Sequence, residues 1–324
     1  MAGLNLFKLT RCRLARLAGV SMTAGLLISS SVQAQNALPG MDEFRQVQAS
    51  GISVLRLTID NDSLLLKRDD GFYTSGNQLS VRKILNTPST SVAYGWQIGQ
   101  DLYTASDIKL SPGQISATDH PYAGWLYASV FREVSDVNGK GSRLALDLGC
   151  LGPCAGGEWT QTHLHRLIKQ PLPQAWSTQL QQEWGVVLSG EWSPGRWAPV
   201  SYIDLSPRVR ARIGTIFTDA SMEATLRFGQ LNKLPEQLAH YGYLRTEIKA
   251  IAYNATLQGG YFTNQALAIH PQRSVGELEL GYQWRSASYG ISAAVLRRST
   301  EIKELSNAIG AQNFARLQFT YALQ

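Results

Sequence analysis

The sequence predicts an all-β fold, a twelve-stranded antiparallel transmembrane β-barrel with a short helix in an outer loop. Three observations predict it: a leading segment patterned as an export signal, apolar/polar alternation through most of the chain, and connections that alternate in length. Helical membrane proteins are excluded, because no second apolar run approaches the roughly 18 residues that a spanning helix requires.

The leading segment has a basic front (Lys8, Arg11, Arg13, Arg16), an apolar stretch from Leu17 to Ile28 and the small-residue site Val32-Gln33-Ala34. Residues 1–34 therefore read as a secretory signal peptide and 35–324 as a single domain, since no linker or composition shift follows. The segment takes four positive charges with it, so the net +6 (30 minus 24) falls to +2 (26 minus 24). A nucleic-acid partner would need a concentrated basic surface, and the remaining chain has no Lys/Arg run or nucleic-acid motif. Cys12 leaves with the signal, and Cys150 and Cys154 remain as one pair able to close in an oxidising compartment.

Alternation identifies the strands. Val92, Tyr94, Trp96 and Ile98 share one face against Ser91, Ala93, Gly95 and Gln97; Leu278, Leu280, Tyr282 and Trp284 oppose Glu277, Glu279, Gln283 and Arg285. A soluble sandwich alternates too. Here the apolar faces carry Trp and Tyr near segment ends, and the opposite faces mix charges with small residues, as a membrane barrel requires. Twelve segments result, near 52–60, 72–84, 91–100, 123–133, 142–151, 179–192, 201–214, 221–230, 243–255, 275–285, 289–298 and 313–323. Twelve is even, as in bacterial barrels. Two connections fit poorly: 215–220 is brief where a long outer loop is expected, and 231–242 is long where a tight turn is expected. The chain also ends without the terminal aromatic common in such barrels.

If the first strand rises from the periplasm, the polar clusters meet at one rim. Asn61 and Asp62 end strand one, and Tyr73-Thr74-Ser75-Gly76 begins strand two. Asp119 to Gly124 leads into strand four, and Gly152-Pro153 with Gly156-Gly157 opens a helical segment from Glu158 to Lys169. Extending the alternation turns Asp62 and Thr74 inward, and Gln161 and His165, at i and i+4, share a helix face. A carboxylate, a carboxamide, a hydroxyl and an imidazole are the inventory for metal-assisted or base-assisted ester hydrolysis.

At these residues the chain resembles the lipid A 3′-O-deacylase family of Gram-negative outer-membrane barrels. The likeness rests on Asn61/Asp62, the Tyr73–Gly76 turn, Asp119-His120-Pro121-Tyr122-Ala123-Gly124-Trp125, and Gly152-Pro153 followed by Gly156, Gly157, Gln161 and His165. The resemblance implies an outer-membrane enzyme that removes an ester-linked acyl chain from lipid A, the lipid of lipopolysaccharide, with a divalent cation, usually calcium (Ca2+). It makes His165 the base that activates water and Asp62 a calcium ligand. Asn61, Thr74 and Gln161 become neighbouring site residues, and Lys109 the candidate for the family's basic residue. The family's acidic residue beyond the histidine falls near Pro171, leaving Glu158 and Glu183 as substitutes.

Other readings rank lower. Thr74 as nucleophile lacks a third group to orient a base, and Cys150, Cys154, His163 and His165 fit no standard zinc spacing. Asp119 to Trp125 reads as a structural bend, with Gly124 for close packing and Trp125 and Tyr127 as interface anchors. An outer-membrane phospholipase would need a His–Ser arrangement that is not evident. A small porin or structural barrel is the non-enzymatic rival.

Overall fold

The computed structural model describes residues 40–65, 71–263, 265 and 267–323; the signal-peptide segment 1–34 lies outside the described residues. Twelve long strands close a barrel: β1 (Ile52–Asn61), β2 (Phe72–Asn86), β3 (Thr90–Thr104), β4 (Ala123–Asp136), β5 (Lys140–Leu151), β6 (Glu183–Pro194), β8 (Ile203–Gly214), β9 (Phe217–Gln230), β10 (Ala239–Asn254), β11 (Ser274–Arg285), β12 (Tyr289–Arg298) and β13 (Gln312–Leu323). Consecutive long strands pair antiparallel, β6 pairs with β8, and β1 closes on β13 from Ser53↔Leu323 to Asn61↔Ala315. The short β7 (Trp197–Val200) only extends β8. Strand six starts at Glu183, later than its alternation implies, because the preceding residues bond elsewhere: Leu180 N–H donates to the Tyr122 carbonyl at 2.8 Å and Gln181 N–H to Gln265 Oε1 at 3.0 Å.

Period-two alternation does the sorting. Trp96, Ile98, Val130, Leu148, Met222 and Leu280 are exposed on the outer wall, where only lipid can bury them. The lumen carries paired charges instead. Arg316 donates to Asp60 at 2.7 Å and to Glu279 at 3.0 Å, Arg245 to Glu277 at 2.9 Å, and Arg210 to Glu247 at 2.7 Å. Such pairing is what keeps charge tolerable away from bulk water.

One rim carries the long connections, the arrangement of the exterior side of outer-membrane barrels, and is here the outer rim. Its lumenal end is packed by Tyr73, Tyr103, Trp125, Tyr127, Phe217 and Phe314. Trp125 stacks on Tyr127 at 5.8 Å in this cluster, so neither is the interface anchor expected from sequence. The brief 215–216 connection fits because buried Ile216 tucks into the same cluster and its carbonyl accepts from Ala255 N–H at 2.8 Å.

The long turn at the opposite rim also has a physical reason. Residues 231–238 fold over the mouth, where Arg196 donates to the Asn232 and Lys233 carbonyls at 3.0 and 2.8 Å. The buried Glu236 carboxylate reaches Arg82 and Arg285 from the barrel wall. Near the same rim, helix α1 (Met41–Ser50) lies on the outer wall, where Arg132 holds Glu43 at 2.7 and 2.8 Å.

Candidate active site

The site is built on the outside of the barrel wall rather than in its lumen. Helix α2 (Gly157–Ile168) follows β5 and folds back against β3 and β4. Gln100, on the lipid-facing side of β3, donates to the Ala155 carbonyl at 2.7 Å and to Thr160 Oγ1 at 3.1 Å. Two glycines allow the approach. A Cβ on Gly157 would stand 2.4 Å from the Trp176 ring, and one on Gly124 would stand 2.9 Å from Ala155. Gly124 thus does the close packing its sequence context suggests. Cys150 and Cys154 are joined, pinning the turn before the helix to the end of β5. Cys150 is on the lipid-facing side with Leu144, Leu146 and Leu148, but it is buried beneath this turn.

Asn61 and Asp62 occupy the exit from β1. Asn61 Oδ1 accepts from Ser63 N–H at 2.8 Å, and Asp62 Oδ2 accepts from Gly71 N–H at 3.1 Å across the loop. Gly71 passes so close to the Ser106 carbonyl that a Cβ would meet it at 2.7 Å. Next, Phe72 takes φ of 63°, an uncommon left-handed conformation for a bulky residue. A bulge between Tyr73 and Ser75 then shifts the β2–β3 register.

That bulge corrects the inward orientation expected for Thr74. The extra residue breaks the alternation, so Tyr73 lines the lumen, whereas the buried Thr74 hydroxyl meets Thr104 Oγ1 at 2.7 Å. Thr104 is out of phase with lumenal Tyr103, which puts this pair on the outer wall. Asp62 likewise bonds the turn, while Asp60 is the lumenal carboxylate.

On α2, Gly157, Gln161 and His165 form the buried stripe. The Trp176 indole Nε1–H donates to Gln161 Oε1 at 2.8 Å, and Trp176 packs with Leu102, Ala105, Tyr122 and Ala175 on the outer wall. Since Oε1 takes the indole proton, Gln161 Nε2 is left as a buried donor with no partner among the described residues. His165 Nδ1 lies 2.6 Å from the Pro171 carbonyl oxygen. A carbonyl only accepts, so Nδ1 carries the proton and Nε2 of the neutral ring is the proton acceptor. Pro171 therefore supplies by backbone what a carboxylate would supply by side chain.

The other candidates sit elsewhere. Lys109 is exposed in the 105–122 loop and pairs with Asp107 at 3.7 Å. Glu158 is exposed on α2, and Glu183 accepts the backbone N–H groups of Tyr261 and Phe262 at 2.8 and 2.9 Å. Neither acid takes the place at Pro171. Trp176, Thr104 and the Pro171 carbonyl escape sequence reasoning; only the isolated tryptophan in a polar loop hints at one of them. His120 is also buried, stacked on Tyr103 at 5.2 Å, with Nδ1 at 2.7 Å from the Pro121 carbonyl. Burial holds its pKa below the usual imidazole value.

A family model described as outer membrane protein LpxR matches residues 20–323. The chain belongs to the LpxR family. This places it in the outer membrane, among proteins that modify lipid A. Among solved structures, LpxR from Salmonella typhimurium matches with a TM-score of 0.69 at 20% identity, covering 83% of this chain and all of that one (100%). The likeness supports the LpxR barrel fold. The β domain of the Bordetella autotransporter BrkA is more remote, with a TM-score of 0.49 at 11% identity, over 85% of this chain and 100% of that one. Comparison with curated proteins gave no match.

Calcium takes hard oxygen ligands. Among the described residues no group of three or more His, Cys, Asp or Glu side chains could hold a metal ion. A cation beside β1 would rest on Asp62 and on neutral oxygens such as Asn61 Oδ1, a donor set that fits calcium in kind.

Proposed function

We propose that this LpxR-family protein is a lipid A 3′-O-deacylase, a carboxylic ester hydrolase that removes an acyloxyacyl chain at the outer leaflet. The observation that carries the proposal is the 2.6 Å contact between His165 Nδ1 and the Pro171 carbonyl oxygen. With Nδ1–H committed to the Pro171 carbonyl, the ring is oriented and Nε2 is the base.

In this mechanism His165 Nε2 takes a proton from water as the water oxygen attacks the ester carbonyl. Gln161 Nε2, oriented by Trp176, donates to the oxyanion. Collapse breaks the C–O bond, the imidazolium returns its proton to the sugar oxygen, and the fatty acid departs. The Thr74–Thr104 hydroxyl pair holds the bulge that shapes the neighbouring wall. Calcium bound by Asp62 with Asn61 would add positive charge at the developing oxyanion.

The site's place on the lipid-facing wall suits a substrate arriving laterally from the membrane. The porin reading is disfavoured by the aromatic packing across the outer end of the lumen. The test is a detergent assay of purified protein on lipid A, with chelator and metal add-back. Fatty-acid release that chelator abolishes and calcium restores supports both parts; release indifferent to chelator retains the hydrolase and removes the cation. No release in either state contradicts the proposal.

A further inference from the structure

Helix α2 carries three stripes rather than two. Gly157, Gln161 and His165 face the wall. Glu158, Thr162 and Arg166, at i, i+4 and i+8, form a polar stripe in which Glu158 and Arg166 are exposed. Leu164, Leu167 and Ile168, at i, i+3 and i+4, form an apolar stripe exposed at 37%, 80% and 46%. A surface helix ordinarily turns its apolar stripe inward. Here a glutamine and a histidine are inside and leucines are outside.

The position of the helix resolves this inversion. It is packed on the lipid-facing side of β3 and β4 through Gln100 and Gly124. Below it, the same wall continues into exposed Ile98, Trp96 and Val130. The apolar stripe is therefore continuous with the barrel's lipid-facing belt, while Glu158 and Arg166 mark the side toward water, as on an interfacial helix.

We propose that Leu164, Leu167 and Ile168 are immersed among the acyl chains of the outer leaflet. They form the surface along which an acyl chain reaches His165, which lies next to Leu164 and one helical turn before Ile168. The acyl-chain route rests on the deacylase proposal above, whereas immersion of the stripe does not.

The test uses the full barrel in phosphatidylcholine vesicles containing lipid A. Nitroxide labels on Leu167→Cys and Arg166→Cys are compared for collision with oxygen, which concentrates in lipid, and with a water-soluble nickel chelate. The Leu167 label is expected to favour oxygen and the Arg166 label nickel. Equal, nickel-dominated exposure at both would overturn the immersion. In parallel, Leu167→Lys is assayed on lipid A in vesicles and on lipid A dispersed in detergent. Vesicle activity is expected to fall about tenfold or more, the scale set by losing one leucine's transfer from water, with detergent activity within about twofold. Equal losses in both would overturn the route. If wild-type protein releases no fatty acid, the deacylase proposal fails, and the labels still decide the immersion.

Discussion

The Trp176 indole nitrogen donates to Gln161 Oε1 at 2.8 Å, with both side chains buried between α2 and the barrel wall. An indole can only donate, so this bond fixes which end of the carboxamide presents hydrogens. Trp176→Phe should keep most of the packing and release the amide. The expected result is a fall in kcat of about tenfold, equivalent to one net hydrogen bond, with KM within about twofold. Gln161→Glu, which offers an acceptor where a donor is needed, should cost about 10²-fold or more. A rise in KM alone would identify the pair as binding groups.

His165→Ala should lower kcat by about 10²- to 10⁴-fold, the usual range for a lost general base. Pro171→Ala retains the backbone carbonyl that accepts from Nδ1–H. It should therefore leave kcat within about twofold. Steady-state kinetics on the two variants separates an orienting backbone from an orienting side chain. Exposed Lys109 gives a control, since Lys109→Ala should be equally mild.

At the opposite rim, Glu236 pairs with Arg82 and Arg285 in a buried setting. Removing one partner of such a cluster leaves uncompensated charge. Glu236→Ala should destabilise the barrel by about 3–5 kcal/mol, read from denaturant unfolding in micelles. A change below about 1 kcal/mol would mean that water already screens the cluster.

The His120 pKa is depressed by burial. A histidine that resists protonation when folded contributes stability above its unfolded pKa of about 6.5, and that contribution drains away as pH falls from there toward the folded value. Hydrogen exchange of the backbone around 119–123, corrected for its intrinsic pH dependence, should accelerate as pH falls below about 6.5. His120→Asn should flatten the response.

The barrel was legible because its alternation is uninterrupted where lipid and lumen face each other across a strand. Leu278 to Arg285 fixes both faces of β11 from sequence. The same rule misplaced Thr74, since one bulged residue between Tyr73 and Ser75 reverses the phase of what precedes it. Gln161 and His165 were correctly placed on one helix face, because that inference needs only local spacing. Their partners were not legible. Trp176 arrives from a later loop, and the Pro171 contribution is a main-chain oxygen that no residue-type pattern can reveal. Glu236 was hidden similarly, as its turn is long for the sake of contacts with strands distant in sequence.

The most direct measurement is mass spectrometry of lipid A from Gram-negative cells expressing either the intact protein or His165→Ala. Loss of one acyloxyacyl unit with the intact protein, absent with the variant at equal outer-membrane abundance, is the expected result. Purified intact protein then should release the same acid in detergent. Lipid A of unchanged mass in cells together with no release in detergent, or equal deacylation by the variant, would contradict hydrolysis by a His165-activated water.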